Sequence, residues 1–145
     1  MAYKRLLVAI DLGSQSPQIA LKAATMARTQ QAEIHLLHIL EPLSLALGSE
    51  MPLDTSSLQE EISQQSETAI NELAQSLNIP VNHCHVAAGR PDKTIACIAS
   101  EIGADLIVIG SHARWGLDLV FGTTTDGVVH AASCDVLAIR VDREN

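Results

Sequence analysis

Two short, unbroken aliphatic runs limit what this chain can fold into more than any other feature. Leu6-Leu7-Val8-Ala9-Ile10 and Leu106-Ile107-Val108-Ile109 are too short for buried helices and show no polar alternation. Runs of that kind are strands covered on both faces, the habit of parallel sheets. Three further segments read as strands: Ile34 to Leu40, Val81 to Ala87, and Asp135 to Val141. Helical spacing fills the intervals. Ala20, Ala23, Ala24 and Ala27 fall on the i, i+3, i+4, i+7 face of a helix that Ser16 caps, with Pro17 at its first position. Leu58, Ile62, Ala69, Ile70, Leu73 and Leu77 mark one side of a long helix, which Asn78-Ile79-Pro80 ends. Gly89-Arg90-Pro91 opens a third helix with Ile95, Ile98, Ala99 and Ile102 in register, and Val128, Val129 and Ala132 mark a fourth. Glu41 to Thr55, with two prolines and a glycine, reads as a loop.

The order is therefore β-α-β-α-β-α-β-α-β, which implies an α/β fold: a five-stranded parallel sheet with right-handed crossovers and helices on both faces. Residues 1–145 are expected to form one domain, since a chain of 145 residues is long enough to bury a core. That core must be aliphatic, because aromatic residues make up only 2% of the chain. A net charge of -8 speaks against nucleic acid as a partner. No stretch reaches the roughly 20 apolar residues of a membrane span. The first strand begins at once with no cleavage signal, and Cys84, Cys97 and Cys134 show no CxxC spacing. Both features fit a cytoplasmic protein with reduced thiols and no membrane contact.

In such sheets ligands bind beyond the carboxyl ends of the strands, where strand order reverses. Two ends are rich in chemistry: Asp11-Leu12-Gly13-Ser14 after the first strand and Gly110-Ser111-His112-Ala113 after the fourth. Further on, Thr123 and Asp126 resemble a capping box, so a helix begins at Thr123 or Thr124. Its first N–H groups and dipole suit phosphate. Gly110 and Gly122 would let backbone approach an anion, and the hydroxyls of Thr123, Thr124 and Thr125 could donate to it. The same residues also serve ordinary turn chemistry, and the lysine of a standard P-loop is missing. Asp11 is either a ligand for ribose or Mg²⁺ or the cap of the turn before the first helix. Ser111 beside His112 lacks a nucleophile elbow, so His112 reads as a loop residue within reach of phosphate. Arg114 could pair with phosphate or simply be solvated, and Trp115 packs the loop down or, as the lesser alternative, stacks on adenine. His83 and His85 share one strand face and make half a metal site. Cys84 points the other way and no second ligand pair is evident, so no metal is assigned.

Taken together, Tyr3-Lys4-Arg5-Leu6-Leu7-Val8-Ala9-Ile10-Asp11, His38-Ile39, Gly89-Arg90-Pro91, Ala104 to His112 and Cys134 to Val141 resemble the universal stress protein family over essentially the whole chain, and its bacterial A-type group most. The resemblance implies a Rossmann-like, adenine nucleotide α-hydrolase-like fold with strand order 3-2-1-4-5. It implies a homodimer joined through the last strand, 135–141. It also implies, in one branch of the family, ATP with Mg. Carried over, the ATP site would comprise Ala9 and Ile39 at adenine, Asp11 at ribose, and Gly110, His112, Ala113, Gly122, Thr123 and Thr124 at phosphate. The chain departs from that branch's pattern twice. Ala113 stands where a second glycine belongs, and eight residues rather than nine separate it from Gly122. If that position needs a positive φ, alanine costs about 1 kcal/mol or more there. The expected function is a stress-response regulatory dimer that binds ATP, or the same dimer without nucleotide acting on an unknown protein partner. Catalysis is not expected as the main role, because no general base near a γ-phosphate can be named; a slow ATPase is the enzymatic alternative. A response-regulator receiver is excluded by Ala87-Ala88-Gly89-Arg90, which holds no acceptor aspartate after the third strand.

Overall fold

A computed structural model describes residues 2–40, 56–111 and 123–141. Five strands, β1 (Arg5–Ala9), β2 (Glu33–Leu40), β3 (Cys84–Ala88), β4 (Leu106–Ser111) and β5 (Asp135–Arg140), alternate with helices α1 (Ser16–Gln30), α2 (Ser56–Ser76), α3 (Pro91–Ile102) and α4 (Thr123–Ala131). The strands form one sheet in the order β3-β2-β1-β4-β5, and every neighbouring pair is parallel. This is the α/β architecture and strand order expected from the sequence.

Strand alternation divides the aliphatic residues between two cores. Leu6, Val8 and Leu36 meet α1 and α2 through Ile19, Ala20, Ala23, Ile70 and Ala74. Leu7, Ala9, Leu37, Ile107 and Ile109 meet α3 and α4 through Ile95, Ala99 and Val128. Leu6, Leu7 and Val8 are wholly buried. Each such side chain contributes about 1.5–3 kcal/mol, against at most about 1 kcal/mol for an exposed ion pair. The sandwiching of β1 therefore outweighs any surface contact.

Three local expectations are corrected. Helix α1 starts at Ser16 itself: Gln15 is its N-cap in a helical conformation without a side-chain cap, and the buried Ser16 hydroxyl donates to Asp11 instead. Val81–His83 form a 3-10 turn, so β3 begins only at Cys84. Pro80, extended at ψ 141°, starts that turn, and its carbonyl accepts from His83 N–H. Leu58 is exposed, because burial along α2 falls on Ser66, Ile70 and Ala74, where the helix lies over β3 and β2. The Glu41 to Thr55 loop lies outside the described residues.

Two close fits set the sheet's outline. Asp105 accepts N–H bonds from Lys4 and Arg5 at 2.8 and 2.9 Å, and its own N–H reaches the Arg5 carbonyl, which clamps the start of β4 to the start of β1. Gly110, next to last in β4, stands where a Cβ would overlap Ile19 Cδ1 of α1 and touch Val141. Its glycine is thus demanded by helix packing, whatever else the position does. Partial desolvation pushes the Asp105 carboxyl up, but the backbone N–H groups of Arg5 and Lys4 outweigh it and hold its pKa below the ordinary value.

A depressed folded-state pKa stabilises above the unfolded value and is lost as pH falls through the folded one. Asp105→Asn should therefore lower unfolding stability by about 1–2 kcal/mol at neutral pH. The gap to wild type should close below about pH 4 in denaturant titrations. Gly110→Ala should cost about 1–3 kcal/mol by overpacking, and Ile19→Val, which deletes the clashing methyl, should recover part of that loss in a double-mutant cycle.

Candidate functional site

Strand order reverses between β1 and β4. To one side of β1 the chain proceeds to β2 and β3, and to the other to β4 and β5. The two strands run in register, Ala9 opposite Ile109, so their carboxyl ends open side by side. Crossovers leaving such a pair in opposite directions create a crevice. Asp11 and Gly110 follow its two walls.

The β1 wall is held firmly. Ile10 N–H donates to the Leu37 carbonyl at 2.9 Å, and the Ile10 carbonyl accepts from His38 Nδ1 at 2.9 Å. Beyond it the chain turns through Leu12, whose φ of 61° is left-handed. Asp11 is exposed, and its Oδ1 accepts from Gly13 N–H at 2.8 Å and from the Ser16 hydroxyl at 3.0 Å. The turn-capping role is therefore in place. Gln15, beside it, was not singled out by sequence: its Oε1 is buried with no hydrogen-bond partner among the described residues. Only the folded turn reveals that, since glutamine at a helix start carries no special signal. Ala9 is nearly buried and Ile39 half-buried, and both belong to the core on the α3 and α4 side.

On the β4 wall, α4 begins at Thr123, as the capping-box signal predicts. Thr124 is half-buried and Asp126 lies in the first turn. Thr125 is 3% exposed, so its side chain is turned into the protein. Gly127, in mid-helix, lets α4 approach α3 closely, because a Cβ there would run into Asp92. His112, Ala113, Arg114, Trp115 and Gly122 lie outside the described residues.

The opposite edge of the sheet holds the histidines. His83, although in the 3-10 turn rather than the strand, stacks on His35 with ring centroids 4.1 Å apart and 16° between planes. His85 bonds His35, Nε2 to Nδ1, at 3.0 Å. Glu33 Oε2 lies 3.4 Å from His35 Nε2 and 2.7 Å from Arg5 Nε. The second ligand pair absent from the linear reading is thus on β2, two residues apart on one strand face. Glu33 is lowered to about 2 by the hydrogen bond from Arg5 first and by His35 next. Burial, then the neighbouring His83, lowers His35, and the same two causes lower His85. Cys84, Cys97 and Cys134 are free thiols. No helix among the described residues is long and apolar enough to cross a membrane.

Comparison with known proteins places this geometry. The universal stress protein family matches residues 2–140. Universal stress protein A homolog 2 of Coxiella burnetii is 35% identical over 143 residues, covering 96% of each chain. Among solved structures, the universal stress protein UspA from Lactobacillus plantarum is 23% identical and superposes with a TM-score of 0.76, covering 97% of this chain and 99% of its own. A universal stress protein solved in complex with cAMP is 21% identical, with a TM-score of 0.63 over 96% and 98%. The switch-point crevice, the strand order and the end-to-end match together establish that the chain belongs to the universal stress protein family.

Proposed function

We propose that this chain is a cytoplasmic, homodimeric stress-response regulatory module that binds ATP with Mg in the crevice between β1 and β4. The observation that carries the reading is the register of those two strands, which sets Asp11 and Gly110 at adjoining strand ends. Ala9 and Ile39 would offer backbone and apolar contact to adenine, and Asp11 would meet the ribose hydroxyls. Gly110, His112, Ala113, Gly122, Thr123 and Thr124 would surround the phosphates, where the first turn of α4 supplies N–H groups and its dipole. The cAMP complex of a structural relative supports an adenine nucleotide as the ligand class. Bound ATP would supply a triphosphate whose occupancy reports on energy supply, and the residues here would hold and orient it.

One observation favours a second reading, a protein-interaction dimer without nucleotide. Ala113 replaces a glycine of the ATP-binding pattern, and the loop from it to Gly122 is one residue short. Either reading uses the dimer. Strand β5 lies at an edge of the sheet, paired with β4 on one side, and Val136, Leu137, Ala138 and Ile139 are half-buried. An apolar edge strand invites pairing with another copy.

Calorimetric titration with MgATP should give saturable binding in the wild type and none in Gly122→Val. Absence of heat and of any thermal shift at millimolar ATP would leave the nucleotide-free dimer. Ile139→Glu should sediment as a folded monomer, and an unchanged dimer would remove β5 from the interface.

A further inference from the structure

The histidines at the amino-terminal edge of the sheet lie on the far side from the nucleotide crevice and play no part in it. Glu33 and His35 lie at the start of β2 and His85 at the start of β3, and strand alternation with the β2–β3 register sets these three on the α3 side of the sheet, while His83 stands in the 3-10 turn just before β3. One atom each from Glu33, His35 and His83 lie within 4.8 Å of one another. A cavity of about 230 Å³ between α1 and the turn after α2 is lined in part by Glu33, Ile34 and His83, and His35 and His85 do not line it.

The proton arrangement decides what such a group can hold. His83 Nδ1 faces the Ile34 carbonyl at 3.1 Å, so it must donate there, and a neutral His83 keeps a lone pair on Nε2. His35 is 8% exposed and neighbours two other imidazoles, which favours its neutral form with a single N–H. That proton serves either His85 Nε2 or Glu33 Oε2, not both. When it lies on Nδ1 toward His85, the Nε2 lone pair of His35 points at a carboxylate 3.4 Å away. With one ligand atom each of Glu33, His35 and His83 within 4.8 Å of the others, a single cation can draw all three together. The remaining bonds are those that orient metal-binding histidines: His83 donates to a backbone carbonyl and His35 to a second imidazole.

We propose that Glu33, His35 and His83 form a binding site for a zinc-class divalent transition ion, with His85 orienting His35 from behind. Two imidazoles and one carboxylate suit zinc and its borderline neighbours rather than magnesium or calcium, which take oxygen ligands. Bonds of about 2.0–2.1 Å to a tetrahedral ion bring ligand atoms to about 3.3 Å apart. Glu33 and His35 are already at that separation, at 3.4 Å, so binding closes the other distances by at most about 1.5 Å. The half-exposed Glu33 and the half-buried His83, whose turn precedes the strand, supply that movement. Arg5 stays beside Glu33 and holds its carboxylate ionised.

The test is titration of the metal-free full chain with zinc under reducing conditions, followed by cobalt substitution. One equivalent should bind, the cobalt form should show visible ligand-field absorption without a thiolate charge-transfer band, and Glu33→Gln and His83→Gln should each weaken binding at least about tenfold. Unaltered circular dichroism and melting in the metal-free variants would show that the loss is local. Should His83→Gln unfold, the nearly isosteric Glu33→Gln decides alone. No saturable uptake, unchanged affinity in Glu33→Gln, or a thiolate band placing the ion on cysteine would each overturn the proposal.

Discussion

Everything in this fold depends on β1 being hydrogen-bonded along both edges and covered on both faces. Its neighbours β2 and β4 take the edges, and helices α1 and α2 on one side and α3 and α4 on the other take the faces. A strand in that position can carry no exposed polar side chain, which is why Leu6, Leu7 and Val8 stand in sequence with no alternation. It also obliges the chain to leave β1 in one direction and return on its other side. The crevice follows from that topology before any functional residue is considered.

The architecture was legible because its signals are local and strong: aliphatic runs, alanine faces at helical spacing, and punctuation such as Gly103, which ends α3 in the left-handed conformation. The errors fell where a side chain has two uses. Ser16 has the chemistry of a cap, but Asp11 claims its hydroxyl, so the helix begins one residue away from the expected pattern. Gly110 has the chemistry of a phosphate loop, yet the approach of Ile19 already requires it. Asp11 and Gly110 lie beside the carboxyl ends of β1 and β4, and the reason each residue type is present there needed the packed structure.

The histidine group illustrates the opposite failure. His35 and His83 are far apart in the chain, and only the pairing of β2 with β3 stacks their rings. A linear reading can find ligands that share a strand face but not those that parallel strands bring together from separate crossovers. Polar residues at the amino-terminal edge, Arg5 and Glu33 among them, form a row across the starting ends of the strands. The two ends of the sheet thus differ in chemistry, one with backbone donors and small residues and the other with imidazoles and an ion pair.

The clamp between Asp105 and the start of β1 joins residues 100 positions apart in the chain. On a ribosome, β1, β2 and β3 emerge first and can pair among themselves, but the other edge of β1 waits for β4. During that interval a strand that is aliphatic after Arg5 presents unsatisfied N–H and C=O groups to whatever is nearby. The hazard is timed by translation rather than by stability, and slow codons between β3 and β4 would lengthen it without altering a single native contact.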